Sequence, residues 1–199
     1  MITLMALDLD RLLAFTSFTH DIRNVKRTMW VKDDEQYEND SEHSFQLALI
    51  ALYLIEHDHL TLDPYKTIGI ALVHDILEVY AGDTFAYGED VATQPERERQ
   101  AIVLLKQRWP DQKTILSLVD GYEARSSSEA KFVYALDKLI PILNNVLDNG
   151  RNWQREHITL SRLIEVKTQK ISTDPEVQGY YNLVLDLLQK KPELFVASA

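Results

Sequence analysis

Apolar side chains recur at intervals of three and four along almost the whole chain, and no stretch sustains the alternation of a half-buried strand. That period predicts an all-α protein, with helices at about 40–55, 64–82, 95–108, 112–124, 127–149, 154–171 and 175–190. Local chemistry marks several of the ends. Asp40 or Ser41 can cap the first of these helices; Asp63 caps the second, whose first residue is Pro64 and whose stop is Gly82. Ser126 and Glu129 have the spacing of a capping box at the start of the helix that follows them. There is no internal repeat and no Pro-, Gly- or Ser-rich linker, so residues 1–199 are expected to form a single domain.

The segment from Pro64 to Ala81 carries Ile68, Ile70, Ala71, Leu72, Val73, Ile76, Leu77 and Val79, apolar on nearly all sides, as in a helix buried inside a bundle. Into it are set His74, Asp75 and Glu78, with Asp83 just past its end. Offsets of three and four put Glu78 on one face with Asp75 and His74. Unpaired ionisable groups in such a place cost roughly several kcal/mol each, so they require partners. One reading is a satisfied internal His-Asp hydrogen bond; the other is a ligand set. The second His-Asp pair, His57-Asp58, stands before a polar loop at a helix end, where solvent can satisfy it.

Two further residues can complete a set. His43 lies in the first turn of its helix, 31 positions before His74, as a capping or core histidine or as a ligand. Asp137 stands among Val133, Leu136 and Ile140, so its carboxylate is expected to point inward, and Pro141 four residues on predicts a kink beside it. The chain has no cysteine, which leaves His and carboxylate as the only strong metal donors. Two imidazoles with two carboxylates suit Mn, Fe, Co, Ni or Zn, with positions left for water and substrate.

Charge narrows the partners. Against 21 basic side chains stand 31 acidic ones, a net charge of −10, which argues against polymeric nucleic acid. A small phosphorylated molecule remains compatible, since one metal ion with one or two basic groups inverts the local field. The acidic run Asp33-Asp34-Glu35 reads as a solvated loop. No segment approaches a membrane span, and the opening "MITLMALDLDR" has acidic residues where a secretory signal has basic ones, so a cytoplasmic protein with no membrane partner is expected.

The strings "SEH" at 41–43, "HDxxExxxGD" from His74 to Asp83 and "SSEAKFVYALDK" around Asp137, with "RTMW" at 27–30, resemble the HD-domain metal-dependent phosphohydrolases, and within them the YfbR-like 5′-deoxynucleotidases that include the HDDC2-like proteins. The resemblance covers about residues 9–150 and implies an HD-domain helical bundle, with the C-terminal helices at about 154–190 packed on that core. It implies metal ligands at His43, His74, Asp75 and Asp137, acid/base or substrate-orienting carboxylates at Glu78 and Asp83, and substrate-side residues at Arg27 and Trp30. It departs from that branch at Met29, where Gly is usual, and at Thr84-Phe85-Ala86, where many relatives place a proline and then a lysine.

The resemblance further implies hydrolysis of nucleoside monophosphates, deoxynucleotides preferred, by a homodimeric enzyme. In that scheme the metal activates water, Glu78 or Asp83 handles the proton, and Arg27 offsets phosphate charge. Hydrolysis of another phosphate ester, such as a guanosine polyphosphate or a cyclic nucleotide, and a non-catalytic metal- or nucleotide-binding module are the alternatives.

Overall fold

The computed structural model describes residues 7–196, so the opening stretch inspected above for a leader lies partly outside the described residues. Helix α1 (Leu9–Asn24) leads into an antiparallel hairpin of β1 (Lys26–Trp30) and β2 (Tyr37–Asn39), which runs straight into α2 (Asp40–His57). The helices α3 (Pro64–Val73), α4 (Glu78–Ala81), α5 (Gln94–Arg108), α6 (Lys113–Glu123), α7 (Ser128–Leu147), α8 (Arg151–Arg155), α9 (Leu160–Ile171) and α10 (Pro175–Gln189) follow. The architecture is all-α, as the period predicts, with one two-stranded sheet added among the described residues.

Several expectations need correction. Helix α1 and the hairpin escape the periodicity. In α1 only Phe18 is fully buried while Leu9, Leu12 and Leu13 face solvent, so no clean apolar stripe exists. The strands are too short to alternate visibly, and their turn is held by the Asp34 side chain, which accepts from the backbone N–H groups of Glu35 and Gln36 at 2.7 and 3.2 Å. The cap of α2 is neither Asp40 nor Ser41 but Asn39, whose side chain accepts from Ser41 and Glu42, while Glu42 accepts from the Asn39 N–H at 3.2 Å. The cap of α7 is Ser127, not Ser126, and Glu129 pairs with Lys66 at 2.8 Å.

The segment 64–82 is not one buried helix. It breaks between His74 and Leu77, where hydrogen bonds tighten to three-residue spacing (Ile76 N–H to the Val73 carbonyl, Glu78 N–H to the Asp75 carbonyl), and Leu72 is 54% exposed. The helix expected at 154–171 divides too, because His157 takes φ 53° between α8 and α9. Helix α7 continues through Pro141, which has no N–H for the Asp137 carbonyl, and one turn on the Asn145 side-chain amide donates to the Pro141 carbonyl at 3.0 Å.

The core has two parts. Leu47, Ala51, Ile70, Ala71, Leu136, Ile140, Leu163 and Tyr181 join α2, α3, α7, α9 and α10. A second cluster gathers Phe18, Leu105 and Trp109 around Ile76 and Leu77. Each large aliphatic side chain among them contributes about 1.5–3 kcal/mol of burial. Since Ile70 and Ala71 belong to the first cluster and Ile76 and Leu77 to the second, the broken turn at 74–77 is anchored on both sides, and its ionisable residues sit at the seam.

Candidate active site

Three helices and one turn converge on a buried polar centre. His43, fully buried in the first turn of α2, places Nε2 3.0 Å from Asp137 Oδ1 in the middle of α7. His74, at the C-terminal end of α3, places Nε2 3.0 Å from Asp75 Oδ2 and 3.7 Å from Asp137 Oδ1. His43 Nε2 and Asp75 Oδ2 are 4.0 Å apart, and the donor atoms of His43, His74 and Asp137 all lie within 4.8 Å of one another. Donors at about 2.0–2.2 Å from a common divalent ion lie about 3–4 Å from one another, so His43, His74 and Asp137 suit one coordination sphere, with Asp75 beside His74 and His43 at its edge.

The His74 ring is oriented for such a role. Its Nδ1 lies 2.9 Å from the Ala71 carbonyl, which can only accept, so Nδ1 carries the proton and Nε2 faces the centre. Nε2 itself makes no well-directed hydrogen bond, and neither does His43 Nδ1. Burial, then Arg27, lowers His43 to about 4. Burial alone would lower His74 as well, but Asp75 and then Asp137 outweigh it and raise it to about 10. The two imidazoles are thus pushed in opposite directions, and His74 Nε2 faces two carboxylates where a cation fits. The residues present suit a divalent metal.

Around this centre lie charges that sequence reasoning only partly found. Arg27 on β1 reaches Asp75 Oδ2 with Nη1 at 2.6 Å, Asp40 Oδ1 at 3.5 Å, and Glu38 Oε2 with Nε at 3.3 Å. Burial, then Asp75, raises Asp40 to about 8, and Glu38 reaches about 7 chiefly through burial, which Arg27 only partly offsets. Glu78 opens α4 with Oε2 buried and unpartnered, and burial, then Asp75 and Asp40, pushes its carboxyl well above the usual range. Asp40, Asp75 and Glu78 form a second group of closely spaced carboxylates beside the His43, His74 and Asp137 set. Asp83 sits past Gly82, whose φ of 72° turns the chain, and its pKa is raised by burial against the pull of Arg27.

On the far side, Asp137 Oδ2 pairs with Lys138 at 2.5 Å and accepts from the Tyr122 hydroxyl at 3.3 Å. Glu38, Asp40, Tyr122 and Lys138 were not expected at the site. The available signal for Lys138 was its position next to Asp137; for Asp40, an acidic residue at a helix start already had a sufficient local explanation. Trp30 is not brought to the centre. It lies between the guanidiniums of Arg151 and Arg155, at 4.6 and 4.0 Å, and lines neither of the two pockets that flank the site. His57 is exposed, as expected of the other pair, although Asp58 accepts from the Tyr180 hydroxyl at 2.7 Å and so is not satisfied by solvent alone.

One flanking pocket, of about 920 Å³, is bordered by His74, Asp75 and Glu78 and by the cations Arg125, Lys138 and Lys170. The other, of about 570 Å³, runs from Arg27 and Asp83 towards α8 and α9. Met29 and Thr84 to Ala86, where the sequence departs from the branch it resembles, all line this second pocket.

A profile of the HD-domain family matches residues 19–178, which include the hairpin, the four histidine and aspartate donors, and α9. The chain belongs to the HD-domain family. Its relatives include two proteins named 5′-deoxynucleotidase HDDC2, from Bos taurus (36% identical) and Homo sapiens (34%), each over 137 residues and 66% of this chain. The aligned stretch spans 65% of the length of each of these HD-domain relatives. A solved structure described as a predicted metal-dependent phosphohydrolase from Magnetospirillum magnetotacticum is 30% identical, with a TM-score of 0.78 over 96% of this HD domain and 100% of that chain.

Proposed function

We propose that this HD domain is a divalent-metal-dependent phosphohydrolase that removes the 5′-phosphate from nucleoside monophosphates, deoxynucleotides preferred. The observation that carries the reading is the spacing of His43 Nε2, His74 Nε2, Asp75 Oδ2 and Asp137 Oδ1 at 3.0–4.0 Å, with Arg27 on one of those oxygens and an unpartnered Glu78 oxygen beside them. The names of the HDDC2 relatives support the nucleotide.

In this proposal His43, His74, Asp75 and Asp137 hold the ion. A divalent metal there supplies Lewis acidity to water and to a phosphate oxygen. Arg27, charged at any accessible pH, takes the phosphate through its fork of donors. Glu78, whose carboxyl burial and then Asp75 push well above the usual range, would give a proton to the leaving 5′-oxygen. Asp83, on the loop facing β1, orients the substrate between Arg27 and the metal. Trp30, packed against Arg151, Arg155 and Tyr37, takes no part in this chemistry.

The reading treats residues 1–199 as one domain, supported by the way α9 and α10 bury Leu163 and Tyr181 in the same core as α7. A homodimer is supported by an exposed stripe on α2, where Phe45, Leu49 and Tyr53 recur every four residues at 66%, 56% and 58% exposure. No helix among the described residues is long and apolar enough to cross a membrane, and the proposed setting is the cytoplasm. The test is phosphate release from a panel of nucleoside 5′-monophosphates, guanosine polyphosphates and cyclic nucleotides, each with Mn, Co, Fe, Ni or Zn. Turnover confined to monophosphates supports the proposal; turnover confined to the other esters replaces it.

A further inference from the structure

The pocket of about 570 Å³ between β1 and the C-terminal helices contains a charged group that the proposed chemistry leaves unused, Lys167 of α9. Lys167 is 5% exposed, and no carboxylate among the described residues forms an ion pair with it. Asp137 attracts it, but that carboxylate is already engaged by His43, Lys138 and Tyr122. Burial, reinforced by Lys138, Lys170 and Arg27, lowers its pKa to about 7. A lysine normally extends its head to water, and an unpaired buried ammonium costs roughly several kcal/mol, more than an apolar side chain of the same length. The attraction of Asp137 and the Tyr87 ring face does not offset that cost, since the pKa stays lowered.

The rest of the pocket says what the amine faces. Phe85, Tyr87 and Trp153 give it aromatic walls, and Ile142 and Ile158 apolar ones; the Tyr87 ring centre is 5.8 Å from the Lys167 nitrogen. Arg27 and Asp83 stand at the end next to the metal-ligand cluster. A flat ring suits such walls, and the polar groups Asn145, Asn152 and Lys167 stand where they can meet its edge.

We propose that Lys167 determines substrate specificity: the pocket holds the nucleobase of a nucleotide whose phosphate lies at Arg27, and Lys167 donates a hydrogen bond to a carbonyl oxygen of that base. The inference rests on the function proposed above and adds the base class. Thymine, uracil, cytosine and guanine carry such an oxygen; adenine has only ring-nitrogen acceptors and presents an amino donor where guanine has its oxygen. A site built to hydrogen-bond one group discriminates strongly against a substrate lacking it, because its own polar atom is then left unpaired.

The experiment uses the full chain reconstituted with manganese and measures kcat and KM for dTMP, dAMP and 2-deoxyribose 5-phosphate, with wild type, Lys167→Met and Lys167→Gln. Wild type should favour dTMP over dAMP by about tenfold or more. Lys167→Met should lose that preference through a higher KM for dTMP, with metal content and the rate on 2-deoxyribose 5-phosphate unchanged. Lys167→Gln, which keeps a donor, should recover part of it. A wild type that hydrolyses dAMP as well as dTMP overturns the assignment without any variant, which keeps the test valid if a variant misfolds. Equal losses on all three substrates would overturn it by making Lys167 a general structural or phosphate residue, while leaving the phosphohydrolase reading intact. Wild type inactive on both nucleotides but active on another phosphate ester would overturn that reading and the base pocket with it.

Discussion

Arg27 and His74 share one oxygen: Asp75 Oδ2 lies 2.6 Å from Arg27 Nη1 and 3.0 Å from His74 Nε2. The guanidinium on the hairpin and the imidazole at the end of α3 are therefore coupled through one carboxylate, although 47 positions separate them in the chain. Burial alone would lower the Arg27 pKa, but Asp75, Glu78, Asp137 and Asp83 together push it up, so the group stays charged.

Removing Arg27 strands its three carboxylate partners in a buried site. Arg27→Met should destabilise the metal-free protein by about 3–5 kcal/mol in chemical denaturation, the usual cost of breaking a buried charge pair. Arg27→Lys keeps the charge but not the fork that spans Glu38, Asp40 and Asp75, so the KM for phosphate esters should rise while the fold survives.

The two His-Asp pairs should separate cleanly. His74→Ala should abolish metal uptake measured by elemental analysis, since it removes a fully buried ring nitrogen from the centre. His57, exposed and stacked on Tyr53, should tolerate alanine within about 0.5 kcal/mol and with normal activity. Equal damage from both would show that the wrong pair had been assigned.

Glu78→Gln separates proton transfer from ligation. If Glu78 carries the proton, the variant should lose about 10²–10⁴ in rate with normal metal content. Asp137→Asn should instead lower metal content. A Glu78→Gln protein that turns over normally would move the role to Asp83, and one that loses its metal would make Glu78 a ligand.

Chelation should remove activity, and Mn, Co, Fe or Ni should restore it. Because Asp75 and Asp137 hold a proton on His74 up to a pKa of about 10, that proton must leave when the ring ligates. Titration calorimetry at pH 7 in buffers of different ionisation enthalpy should show proton release on metal binding. No proton release would contradict His74 as a ligand.

Lys167 gives a pH signature independent of catalysis. Its pKa is about 7 in the fold against an ordinary value of 10.5, so between these values the unfolded chain binds more protons and stability rises with pH. Below pH 7 both states are protonated and the folded state bears the whole cost. Lys167→Met should therefore be more stable than wild type most clearly below pH 7, with the advantage shrinking towards pH 10. A constant difference across that range would mean that the lysine is not desolvated.

The sequence by itself determined the helical class and nominated His74, Asp75 and Asp137 by local rules, while His43 joined them through the resemblance of its motif. A period of 3.6 marks a buried face, and ionisable groups in an apolar run such as His74, Asp75 and Asp137 announce a shared partner whatever the path of the chain. It also separated His57 from His74, since a polar helix end differs from an apolar run within a few residues. What only the tertiary structure decided depends on contacts distant in sequence. Asp40 reads locally as a cap, and only Asn39 taking that task leaves it facing Arg27 across the hairpin. The break at His74 to Leu77 arises because the turn must anchor in two cores at once, which no window of local sequence contains. Lys167 sits in an ordinary amphipathic helix, and its isolation appears only when α9 packs on α7 and turns that face towards Phe85 and Tyr87. Burial, and hence the cost of a charge, is a property of what surrounds a residue, and the chain order does not record it.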